Sequence, residues 1–315
     1  MGVWESLRIE VPAKEVASTG GRKHVCVTGN WSLLGSWLVR NLLEKGYNVR
    51  CTFRTTVDEA AALMALPGAE QRLELTQADL LDYGSLVEAF MGCDGVFHTS
   101  SPSDVISNYS PEMADFEVRG TLNIVEACAN SSVKRLVLTS SLAAMVWDQQ
   151  RHAEKVIDEK CWSNLELCRS KKLWGPLTKT MTEKAAWSLA RDKELDMVVI
   201  NPAIVLGPRV FGTTQNIFTY LKGVTELPQS GLFAYAHVED VAEAHVRALE
   251  ATEATGRYIC YETVVSEEKL VELIRKLYPD SKIPSRFSKN GVPHVLSNEK
   301  IKKLGMVFPA QQKLH

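Results

Sequence analysis

The sequence predicts an α/β fold: a doubly wound parallel sheet covered by helices on both faces, with a smaller C-terminal lobe. Three observations carry this. Through the first two-thirds of the 315 residues, short β-rich runs alternate with amphipathic helical runs. The connections between them are short, which suits parallel strands joined by crossover helices. After about residue 207 the alternation weakens, so the remainder reads as a lobe packed on the sheet.

Each element has its own local reason. HVCVT (24–28) is an apolar run of strand length. In LLGSWLVRNLLEKG (33–46), Leu34, Leu38 and Leu42, with Val39 and Leu43, recur at helical spacing, and Gly46 is a natural stop. NVRCTF (48–53) is the second strand and RLELTQADL the third, followed by a helix over SLVEAFMG. GVFHTS (95–100) is the fourth strand, a long helix covers 111–130, and KRLVLTSS (134–141) is the fifth strand. PLTKTMTEKAAWSLARDK is a helix and MVVINPAIVLG (197–207) a sixth strand. Beyond it lie short loops, a helix near EDVAEAHVRALEA and a mixed final segment.

Composition excludes several classes of function. With 36 basic and 38 acidic residues, the net charge of −2 offers no attraction to nucleic acid or to an anionic membrane surface. No apolar run is long enough to span a bilayer. Residues 1–22 mix acids and bases without an apolar centre and read as a flexible leader, neither signal nor transit peptide. The expected setting is therefore cytoplasmic. Seven cysteines are dispersed without CxxC or Cys/His spacing, so no metal site is expected. Cys161 and Cys168 read as two reduced thiols.

TGNWSLLG joins the first strand to the first helix, which is the context of a dinucleotide phosphate loop. Gly29 would make the tight turn, and Gly35 would let helix and strand approach. Amides at the helix start, around Leu33 and Leu34, would face a pyrophosphate. Ser32 stands where the pattern TGxxGxxG has its middle glycine, beside the bulky Trp31. Ser32 is small enough to stay and can donate a hydrogen bond. The same stretch also suits a strand–turn–helix that holds no nucleotide. The second strand ends in Arg54 instead of an acid, which suits the 2′-phosphate of NADP(H) over the free ribose of NAD. Asp79, followed by Leu80, is placed to meet the adenine; the competing reading makes Asp79 a helix cap. Residues 23–207 then form a Rossmann-type NADP-binding domain, with strand and helix contributions from later residues, and 208–315 form mainly the substrate lobe.

Beyond these pieces, the chain resembles the plant extended short-chain dehydrogenases/reductases around cinnamoyl-CoA reductase, dihydroflavonol reductase and anthocyanidin reductase. The likeness runs from about residue 23 to about 308. It rests on GSWLVRNLLEKGY, QADLLDYGSL, GCDGVFHTSSP, RLVLTSS, KTMTEKAAWSLA, NPAIVLGP and HVEDVAEAHV, among others. The resemblance implies NADPH as cofactor and an aromatic carbonyl compound or acyl-CoA as small-molecule ligand. It implies that Ser141 hydrogen-bonds the substrate carbonyl and that Lys179 holds the nicotinamide ribose. It places Thr99, Ser100, Pro202 and Val205 around the cofactor.

One position departs sharply. Relatives carry Tyr-x-x-x-Lys, one helical turn that sets phenol and ammonium on one face. The ammonium lowers the phenol pKa, and the phenol protonates the carbonyl oxygen as hydride arrives. Here WGPLTK keeps Lys179 but has Gly175 in the tyrosine's place. Gly175 as N-cap and Pro176 as first helical residue make a sound helix start, so the fold need not suffer. Replacement donors are few: Ser141, Thr178 and water. The one Tyr-x-x-x-Lys in the chain, Tyr278 to Lys282, contains Pro279 and reads as chance. His237 and Asp240 read as a helix cap, and His98 as a packed strand end. The expectation is an NADP(H)-binding reductase-like protein whose carbonyl reduction is absent or greatly weakened. Two alternatives stand beside it: a reductase working through Ser141 and water, and a nucleotide-sensing or scaffold protein.

Overall fold

A computed structural model describes residues 23–53, 57–99, 109–148, 156–210, 233–266 and 295–308, with Lys269 and Glu272. Arg54, Ser100, the leader and the segment from Tyr278 to Lys282 lie outside the described residues. The strands are β1 (His24–Thr28), β2 (Asn48–Phe53), β3 (Leu73–Gln77), β4 (Gly95–His98), β5 (Arg135–Thr139), β6 (Met197–Pro202), β7 (Ile204–Leu206), β8 (Phe233–His237), β9 (Gly256–Cys260) and β10 (Thr263–Val265). Seven of them form one sheet in the order β3-β2-β1-β4-β5-β6-β9. Every neighbouring pair in it is parallel. This is the doubly wound parallel sheet expected from the alternation, and the Rossmann-type fold that the resemblance implies. The chain leaves β1 toward β2 and β3, then returns to place β4 on the other side. Loops at the carboxyl ends of β1 and β4 therefore diverge and open a crevice.

The helices are α1 (Leu33–Glu44), α2 (Val57–Met64), α3 (Ala69–Arg72), α4 (Tyr83–Phe90), α5 (Pro111–Asn130), α6 (Ala143–Val146), α7 (Leu165–Ser170), α8 (Trp174–Asp192) and α9 (Val238–Glu250), with a last turn at Glu299–Lys302. Strand residues alternate between two cores, as the period of two requires. Val25, Val27, Val49, Phe97 and Val137 pack under α1 and α9. Cys26, Val96, Leu136, Leu138 and Val199 pack under α4, α5 and α8. On α1, Leu38 and Leu42 are wholly buried, each contributing about 1.5–3 kcal/mol of burial. All seven cysteines are free and buried, Cys161 and Cys168 included. No helix among the described residues is long and apolar enough to cross a membrane.

Two local expectations are corrected. The sixth strand is not continuous over 197–207. It ends at Pro202, which has no N–H for the ladder. Ala203 N then donates to Cys260 O at 2.9 Å, and β7 leaves for a three-stranded sheet in the order β10-β8-β7. Second, α8 starts two residues earlier than expected. Its N-cap is Leu173, not Gly175, and no side chain caps it. The chain reaches it through Lys172 at φ 55°, with Leu173 N bonded to Cys168 O. Gly175 and Pro176 therefore lie inside the first turn. Leu177 N donates to Leu173 O at 3.0 Å, so Pro176 still occupies a position whose N–H has no ladder partner.

Candidate active site

The loop after β1 is built as the glycine pattern requires. Gly29 has φ 80°, in the left-handed region. A Cβ on Gly35 would lie 2.1 Å from Gly29 O and 2.7 Å from Asn30 Cα, so only glycine permits this approach. Ser32 is the N-cap of α1: its Oγ accepts from Gly35 N at 3.0 Å and donates to Gly29 O at 2.8 Å. The hydroxyl thus closes the loop on itself, and the donation expected toward a phosphate goes to the Gly29 carbonyl. Leu33 and Leu34 occupy the first turn, where backbone N–H groups have no intrahelical acceptor. Trp31 is half-buried and packs against the core under α1.

Asn30, which the sequence marks only as the first residue of an NWS sequon, has a part in this loop. Its side chain is fully buried, and neither carboxamide atom has a hydrogen-bond partner among the described residues. An orphaned amide of this kind costs about 1–3 kcal/mol unless a ligand or water completes it. Together with the α1 amides and the Gly35 approach, it fits a dinucleotide pyrophosphate.

The remaining predicted residues lie on the same edge of the sheet. Thr99, after β4, donates from Oγ1 to Thr28 O at 2.9 Å and ties the two loops of the crevice together. Asp79, after β3, accepts from Leu81 N at 2.9 Å; Asp82 caps α4 instead, so the capping alternative for Asp79 fails. Leu80 lies against Gly120 of α5. Pro202 is the last residue of β6, and its carbonyl accepts from Leu142 N. Val205 lies in β7 opposite Ala236. Ser141 follows β5; its Oγ accepts from Ala143 N at 3.1 Å, which leaves the O–H available to donate.

Lys179 is where the structure departs most from sequence expectation. Its Nζ lies 2.9 Å from Glu117 Oε1, with the side chains 10% and 5% exposed. The other oxygen, Glu117 Oε2, accepts from Tyr109 Oη at 2.6 Å. Lys179 Nζ stands 5.7 Å from the Tyr109 ring centre. Burial alone would lower the lysine pKa, but Glu117 and Tyr109 outweigh it and raise the pKa above its ordinary value. A phenol therefore does stand beside the lysine, supplied by the residue two before α5. It is a poor replacement acid. Its O–H already donates to the Glu117 carboxylate, so it is not free to reach a substrate carbonyl. Thr178 is also committed, with Oγ1 bonded to Trp174 O at 2.7 Å.

Glu117 did carry a sequence signal. It shares the buried stripe of α5 with Gly120, Thr121, Ile124 and Cys128, and a charge on such a stripe needs a buried partner. His98 donates or accepts at Thr28 Oγ1, 2.6 Å away, and at Thr121 Oγ1, 3.3 Å away. Burial, then the Lys179 charge, lowers its pKa to about 3, so it is a neutral packed residue, as expected. His237 caps α9 by accepting from Glu239 N. One turn beyond Lys179, Glu183 pairs with Arg257 and accepts from Ser140 Oγ and Asn201 Nδ2. That network fixes α8 against β5, β6 and β9.

Comparison with known proteins agrees with this architecture. The profile of the NAD dependent epimerase/dehydratase family matches residues 25–261. Cinnamoyl-CoA reductase 1 of Petunia hybrida is 44% identical over 302 residues, 92% of this chain and 90% of that protein. The crystal structure of vestitone reductase from alfalfa superposes with a TM-score of 0.73 at 31% identity, covering 92% of this chain and 94% of that one. Yeast methylglyoxal/isovaleraldehyde reductase Gre2, complexed with NADPH, gives 0.72 at 25% identity, covering 91% and 94%. A parallel sheet with a glycine-built loop at its switch point, a lysine on α8 and these relatives lead to one conclusion: the chain belongs to the NAD dependent epimerase/dehydratase family, beside the cinnamoyl-CoA reductases.

Proposed function

We propose that the protein binds NADP(H) as a cinnamoyl-CoA reductase-like oxidoreductase whose carbonyl reduction is absent or greatly weakened. The observation that carries this reading is the state of Lys179: no phenol precedes it on α8, and its ammonium is paired with Glu117. Bound NADPH would supply hydride. This chain's residues would do the rest: the α1 amides and Asn30 hold the pyrophosphate, Arg54 the 2′-phosphate, and Ser141 the substrate carbonyl oxygen. None of them is a good acid at neutral pH. Loss of a general acid lowers the rate by about 10²–10⁴, roughly 3–5 kcal/mol of barrier. The seven free thiols suit a reducing, cytoplasmic setting.

A second reading keeps turnover through Ser141 and an ordered water. It is favoured by the Ser141 O–H, whose oxygen accepts from Ala143 N and whose hydrogen stays available to donate. Titration with NADPH and NADH, followed by turnover of cinnamoyl-CoA and a dihydroflavonol, separates the readings. Binding of NADPH without turnover supports the first. Turnover at a rate typical of a working reductase supports the second, and failure to bind either nucleotide overturns both.

A further inference from the structure

The interior around Lys179 contains a charge that the family's chemistry does not require. Glu117 comes from α5 and Lys179 from α8, helices packed side by side on the same face of the sheet. Their side chains meet at the carboxyl end of β5, in a cavity also lined by His98, Thr121, Thr139 and Ser140. Tyr109 donates to the second oxygen of Glu117 and so fixes the carboxylate's orientation. His98 is neutral and cannot compete for it.

We propose that Glu117 is a positioning residue that holds the Lys179 ammonium as its counter-ion, off the ribose of the nicotinamide half of a dinucleotide, and so sets how strongly the site takes that half. The proposal rests on the dinucleotide reading above. Its physical basis is a competition for one ammonium. A ribose diol offers neutral oxygens, whereas Glu117 offers an ionised one at 2.9 Å, and charge-assisted hydrogen bonds are about twice as strong as neutral ones. Both partners are buried, so solvent screens the pair little. The ribose must displace a carboxylate that Tyr109 holds in place. The adenine half, bound at the other end of the crevice by the loop after β1, does not meet this competition.

The test compares two probes: NADPH, and 2′,5′-ADP, which lacks the nicotinamide half. Each is titrated calorimetrically into wild type, Glu117→Gln and Glu117→Ala. Glu117→Gln keeps the shape and one acceptor oxygen while removing the charge, its amide nitrogen now donating where an oxygen accepted, and thermal unfolding of each variant checks the fold. The expected result is NADPH binding tightened about ten-fold in Glu117→Gln, ~1.4 kcal/mol, with 2′,5′-ADP affinity unchanged. Glu117→Ala, where it folds, should change the ratio of the two affinities in the same direction. A ratio that stays constant, or NADPH binding that weakens in Glu117→Gln, overturns the proposal while leaving the dinucleotide reading intact. A folded wild type that binds neither probe overturns that reading, and this proposal with it.

Discussion

Restoring the missing phenol should restore less than the sequence alone suggests, because the lysine it would rely on is already neutralised. Consider Gly175→Tyr with and without Glu117→Gln. A phenol one helical turn before Lys179 would lie about 5 Å from the ammonium. At an effective dielectric of about 20, that pair is worth roughly 3 kcal/mol, or about two pH units off an ordinary value near 10. Glu117 sits 2.9 Å from the same Nζ. Its carboxylate, about 8 Å from the new phenol, opposes the effect by roughly 2 kcal/mol. The single variant should therefore lower the phenol pKa by about one unit or less, and the double variant by about two. The assay is NADPH consumption with cinnamoyl-CoA across wild type, both singles and the double. An ultraviolet difference titration of the added phenol accompanies it. Gly175→Tyr alone should raise activity, and the double variant should raise it about five-fold further, as expected for an acid brought closer to neutrality. Additive rates with identical phenol pKa values in the two tyrosine variants would refute the argument. An inert double variant that still binds NADPH would show that the substrate site itself is lost.

Gly35→Ala should remove NADPH binding and destabilise the fold by at least 1–3 kcal/mol, since its Cβ would meet the backbone of Gly29 and Asn30; a normal melting temperature would contradict this. Glu183→Ala would leave Arg257 buried without its ion partner, and urea unfolding should show a loss of about 3–5 kcal/mol. The third prediction concerns acid. Burial lowers the pKa of His98 from 6.5 to about 3 and that of His245 from 6.5 to about 4. The unfolded chain therefore binds more protons than the folded one below about pH 6.5. Stability is full above that pH and falls as pH drops toward 4, by roughly 4 kcal/mol at pH 5 for the two together. His98→Gln should remove about half of that slope, and a melting temperature flat from pH 6.5 to 5 would refute the assignment.

Much of the fold was legible in the chain because its elements are long and periodic. The run from Leu33, the helix over 111–130 and the apolar strands from His24 to Thr139 were placed by pattern alone. The boundary at Pro202 was not, because Cys260 O, on a strand distant in sequence, takes the Ala203 amide; that at Leu173 was not, because it turns on a left-handed non-glycine residue, Lys172, which carries no turn signal. The glycine loop was readable for a similar reason. The positive φ of Gly29 and the missing Cβ of Gly35 are local demands, written where they act. Asn30 carried no such mark, since a buried orphan amide is a property of its surroundings.

The sequence by itself determined the α/β order, the glycine-built turn, the lysine on α8 and the absence of a tyrosine at Gly175. Those are statements about one residue or one period of the chain. Tertiary structure decided what the lysine does. Glu117 and Tyr109 lie far from it in sequence and reach it only because α5 packs against α8. Electrostatic energy depends on distance through space, so the charge that Lys179 presents to a ligand was settled by folding.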